Sequence, residues 1–171
     1  MRNLKVRTTL TTITLILLAL PLLGGIPVNA DEEEVPEIEV VRVEAGQKLA
    51  KALDELAFFC KENKLFLGRD TCYQLLLRFQ PDHREARQRL KFRRNGDDWV
   101  QGKYSPPQNR NEEMEPIYQE QIRKLVREYI DTMIAALERT DTGWETPERN
   151  LALADVIHVE PDNAKARDMM G

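Results

Sequence analysis

Cys60 and Cys72 are the only cysteines of the chain, and His83 and His158 its only histidines. Eleven residues separate the cysteines. A disulfide there would stabilise by about 3 kcal/mol on the chain-entropy model, and an oxidising compartment permits it. Two buried thiols packing as small apolar residues is the other reading. No further Cys, and no His at ligand spacing, completes a metal site around the pair. His83 lies in the Pro81-Asp82-His83 turn, where it suits helix capping, and His158 sits one residue off the apolar face of its helix. Neither has a Ser, Cys or carboxylate in a catalytic spacing, and no phosphate loop, dinucleotide fingerprint, zinc-helix motif or nucleophile elbow is present. No catalytic residue, cofactor or metal is therefore expected.

What remains is cationic. Arg84, Arg87, Arg89, Lys91, Arg93 and Arg94 crowd one short stretch, with Trp99 just beyond. Two readings apply: a solvated helix face with Glu85 nearby, or an acceptor surface for an acidic peptide or for the chain's own residues 31–34. Trp99, Tyr104 and Trp144 read as residues that cap the core, with a ligand groove as the alternative.

The elements that hold these residues are helical. From Ala45 to Asn63, Leu49, Leu53, Leu56 and Cys60 recur at spacings of four and three, one apolar stripe of a helix. Asp70 is placed to cap a second helix reaching about Phe79, and the short loop makes the two antiparallel neighbours. Pro81 ends that helix, because it has no N–H to donate and holds Gln80 extended. A third helix, with Ala86 and Leu90 inward, leads into a hairpin over Phe92–Val100 turning at Asn95-Gly96. Residues 101–111 form a connector. Glu112 to Arg139 is the longest pattern, with Tyr118, Ile122, Leu125, Tyr129, Ile130, Met133 and Leu137 on one face and Glu120 paired to Lys124. Gly143 ends it. Thr146-Pro147-Glu148 starts another helix, Pro161 stops it, and a last short helix follows from Asp162 to Met170.

Residues 1–30 have the parts of a secretory signal: Arg2, Lys5 and Arg7, an apolar run over Leu10–Leu23, and Val28-Asn29-Ala30, which predicts cleavage after Ala30. Removing them takes away three of 25 basic residues and none of the 29 acids, so the net charge moves from −4 to −7. Such a chain is a poor partner for nucleic acid or an anionic membrane surface. Residues 31–44 are rich in like charge and read as a solvated acidic linker, with Ile38, Val40 and Val43 marking a short extended piece or an early helix start.

The two proline breaks match. Aligning Pro81-Asp82 with Pro161-Asp162 superposes Tyr73 on Leu153, Leu77 on Ile157, Ala86 on Ala166 and Arg87 on Arg167. This resembles the tetratricopeptide repeat family, in the exported bacterial type where the junction is followed by Ala-Arg and a Gly-x-Trp hairpin, here Gly96 to Trp99. Leu56 and Tyr73 are similar to the family's first-helix leucine and second-helix aromatic. The pattern departs from the family at Arg69 and Arg149, where a small residue is usual, and at Ala57 and Leu137, in the glycine's place. The blocks lie 80 residues apart, against about 34 for adjacent units.

The expected architecture is mainly α: antiparallel helix pairs in units 45–100 and 112–171, with one hairpin. The resemblance implies an exported, non-enzymatic module that binds a protein or peptide. The alternatives are an N-terminal regulatory part of a larger secreted enzyme, or a self-associating envelope protein.

Overall fold

The structure, a computed structural model, describes residues 37–140 and 146–171. The export segment with its cleavage after Ala30, residues 31–36, Gly143 and Trp144 lie outside them. The fold is mainly α with one small hairpin. In chain order the elements are α1 (Glu37–Glu62), α2 (Phe66–Phe79), α3 (Arg84–Arg89), β1 (Phe92–Asn95), β2 (Asp98–Gln101), α4 (Glu115–Arg139), α5 (Pro147–Val159) and α6 (Ala164–Met170).

α1 is the hub, with α2, α4 and α5 all packing on it. Its stripe of Leu49, Leu53, Leu56 and Cys60 is buried, and Ala50 and Ala57 beside it are closed to solvent as well. Gly46 lets the Phe79 ring close onto α1, since a Cβ there would lie 2.8 Å from the Phe79 ring carbon Cδ1. Phe79 meets Tyr129 of α4 edge-on, with ring centroids 5.3 Å apart. α4 runs antiparallel to α1. Tyr118 lies near Cys60 at one end, and Arg139 reaches Glu37 at the other.

α1 starts eight residues before the expected Ala45. The linker reading weighed the repulsion among acids and missed what the first turn gains. Glu37 and Glu39 sit at the positive end of the helix dipole. Arg42 donates to both oxygens of Glu39, each at 2.7 Å, and holds that carboxyl below its usual range. Ile38 is buried. At its other end α1 closes in a Schellman turn: Leu65 N–H bonds the Cys60 carbonyl at 2.8 Å, and Lys64 stands at φ 60°. A side chain in that region strains the backbone, which glycine would relieve against a greater entropy loss on folding. Lys64→Gly is expected to stabilise the protein by about 0.5–1 kcal/mol, read as a higher urea midpoint at unchanged slope.

α2 begins a turn earlier than expected, at Phe66, so Asp70 lies within the helix and is not its cap. The connector caps it instead. Asn109 Oδ1 accepts from the N–H groups of Leu67 and Gly68, at 2.8 and 3.3 Å. Glu120 and Lys124 form no ion pair among the described residues; on that helix Glu128 pairs with Lys48 of α1 at 2.5 Å.

The two proline junctions have nearly the same backbone. Gln80 and Glu160 stand at φ/ψ of −132°/77° and −135°/90°, and His83 and Asn163 at −60°/108° and −64°/102°. Arg87 Nε donates to the Pro81 carbonyl at 2.6 Å, and Arg167 Nε to that of Pro161 at 2.8 Å. Ala86 and Ala166 are both fully buried. Thr146 caps α5 by accepting from Arg149 N–H at 3.2 Å.

Candidate binding surface

The cationic stretch divides once folded. α3 is six residues long and turns Ala86 to the core, so its charged side chains point several ways. Arg89 faces inward. It grips Asp70 with two bonds, Nε to Oδ1 at 2.7 Å and a terminal nitrogen to Oδ2 at 2.9 Å. Asp70 is fully buried, and Arg69 and the Tyr104 hydroxyl also donate to it, at 3.3 and 2.7 Å. Burial, and then the bond to this carboxylate, push the Tyr104 phenol up to about 12.

Arg87 is held in a stack. Its guanidinium lies 4.4 Å from the centre of the Phe92 ring and 5.1 Å from that of Trp99, and Arg94 lies 4.9 Å from Trp99. Desolvation lowers the Arg87 guanidinium from its ordinary value. Trp99 Nε1 donates to Asp82 Oδ1 at 2.8 Å, which anchors the indole over the start of α3. Arg84, Lys91 and Arg93 are exposed and pair with no carboxylate among the described residues. Asp82, Arg84, Gln88, Phe92, Arg93, Arg94 and Trp99 line a shallow groove of about 690 Å³ between α3 and β1.

The hairpin turn is shifted one residue from the expected Asn95-Gly96. Asn95 pairs with Asp98, so Gly96 and Asp97 are the central residues, and Gly96 takes φ 62°. Positive φ at the first central position alone is the type II′ arrangement, which favours glycine there.

The remaining candidates lie elsewhere. His83 caps α3, its Nδ1 accepting from Ala86 N–H at 3.3 Å while Nε2 stands 3.6 Å from Asp54. His158 is exposed and lines a separate cleft of about 280 Å³ with Arg78, Arg87 and Gln101. Cys60 and Cys72 are free thiols in the structure, both fully buried. The Cys60 thiol, then burial, raises Cys72 well above the usual thiol range. In the reduced protein both should resist iodoacetamide at pH 8 by orders of magnitude relative to the unfolded chain, read by intact mass. Rapid labelling of folded protein would contradict that packing.

Spacing did not disclose the second buried acid. Asp155 of α5 accepts from Arg42 of α1 at 3.0 Å and from Arg78 of α2 at 2.9 and 3.2 Å. Its one sequence signal is a lone acid in an otherwise apolar run of α5. Among the described residues no group of His, Cys, Asp and Glu could hold a metal, and no helix is long and apolar enough to cross a membrane. Comparison of the chain with protein families, with curated proteins and with solved structures finds no match.

Proposed function

We propose that the chain is an exported helical module that acts by binding, and that its α3–hairpin face takes an acidic segment of a partner protein. The observation that carries this reading is the sorting of the basic residues. Arg89 is neutralised by Asp70 and Arg87 is fixed in the aromatic stack, while Arg84 and Arg93 stand unpaired in the groove with a half-buried Trp99. In a chain with more acids than bases, an uncompensated basic patch is the part of the surface whose local potential attracts an acidic segment. The tripartite N-terminus supports export, and the matched proline junctions support a repeat-type scaffold of tetratricopeptide likeness.

The test uses a fluorescein-labelled, capped heptapeptide of alternating Glu and Val, read by anisotropy. The double reversal Arg84→Glu with Arg93→Glu should weaken binding about tenfold at 50 mM salt, and the gap should shrink by 0.5 M as screening sets in. Arg87 is left alone, because its reversal would break the stack. Unchanged affinity in the double variant removes the reading.

A further inference from the structure

We propose that the acidic segment docks in extended form, as a third strand on the outer edge of β1, in the groove between that edge and α3. This rests on the binding role above and adds its geometry.

The hairpin register decides which backbone groups are free. Gly102 N–H bonds the Lys91 carbonyl at 2.9 Å, so Lys91 and Gly102 form a hydrogen-bonded pair. Bonded and non-bonded pairs alternate along an antiparallel ladder. Arg93–Val100 and Asn95–Asp98 are therefore bonded pairs, and Phe92–Gln101 and Arg94–Trp99 are not. The N–H and C=O of Phe92 and Arg94 consequently point away from β2, and among the described residues no backbone group meets them. Two residues of edge, with donor and acceptor on each, match the repeat of an added strand.

The surroundings select the occupant. The groove beside that edge carries Arg84, Arg93 and Arg94, and its one acid, Asp82, is already bonded to Trp99 and within 3.5 Å of Arg94. Arg94 and Trp99 share one face of the sheet, while Arg93 and Val100 share the other. An added strand with acids along it thus meets a cation of β1 on either face, Arg94 on one and Arg93 on the other, and on the Arg94 face its apolar side chains lie beside Phe92. Arg93 and Arg94, which guard the bare edge against a second copy of the same basic strand, are the charges that would draw an acidic one.

The experiment uses the same heptapeptide in two further forms, with N-methyl groups on all Glu amides or on all Val amides. In a strand only one of these sets faces β1, so one form should bind about tenfold more weakly than the other. Amide exchange followed by NMR should show Phe92 and Arg94 gaining protection on binding, with Arg93, already paired within the hairpin, unchanged. Equal affinity of the two methylated forms, with no new protection, overturns strand addition but leaves charge-driven binding standing. No binding of the parent peptide, or tighter binding of a single-stranded oligonucleotide, overturns both.

Discussion

Replacing Asp70 by alanine should destabilise the protein by about 3–5 kcal/mol, the range seen when one partner of a buried charge pair is removed. The carboxylate holds the Arg89 fork, Arg69 Nε and the Tyr104 hydroxyl at once. Alanine would leave two guanidiniums and a phenol facing an apolar space. Arg89 keeps 30 % side-chain exposure and can turn partly to water, which favours the lower end of the range. Asp70→Asn retains an acceptor and should lose less. Arg89 lies just before the hairpin and Tyr104 just after it, so one carboxylate clasps both legs. Asp70→Ala should therefore also weaken peptide binding at Trp99 more than its distance suggests. Urea unfolding followed by circular dichroism measures the first effect. A loss under 1 kcal/mol would mean the clasp is only a surface-grade contact.

The second large effect is expected at Leu53, in the middle of α1 and fully buried. Leu53→Ala removes methyl groups from a site held by neighbouring helices, which leaves little room for collapse around the hole. About 3 kcal/mol is expected, within the 2–5 found for such truncations. Phe58→Ala provides the contrast. It lies on the same helix but is 61 % exposed, with Lys61 Nζ 5.9 Å from the centre of its ring. A change within about 0.5 kcal/mol is expected there. Similar losses at both positions would deny α1 its place at the centre of the core.

The features legible in the sequence were those whose cause is local. The stripe on α1, the stops at Pro81 and Pro161, the start at Thr146-Pro147-Glu148 and the existence of a hairpin all follow from residues within a turn or two. Most of the misreadings have a distant cause. Asp70 looked like a cap because an acid before an apolar run usually is one. Its partners Arg89 and Tyr104 lie 19 and 34 residues on, beyond any spacing rule. The early start of α1 depends partly on Arg42 meeting Asp155 from another helix. Six basic residues read as one cluster because sequence proximity carries no direction; the short α3 sends Arg89 in and Arg84 out. The hairpin slipped by one residue because Asn95 and Gly96 both tolerate positive φ, and only the pairing shows which of them uses it.

The hub position of α1 has a consequence for how the chain matures. Its bond from Arg42 to Asp155 spans 113 positions, and its packing against α4 and α5 waits for almost the whole polypeptide. During synthesis α1 emerges early and can pair with α2, but the surface meant for α4 stays bare until α4 has been translated. Contacts this remote slow assembly relative to a simple helical bundle. For that interval the nascent chain carries a ribbon of leucine and alanine open to solvent, the kind of sticky half-product on which chaperones act.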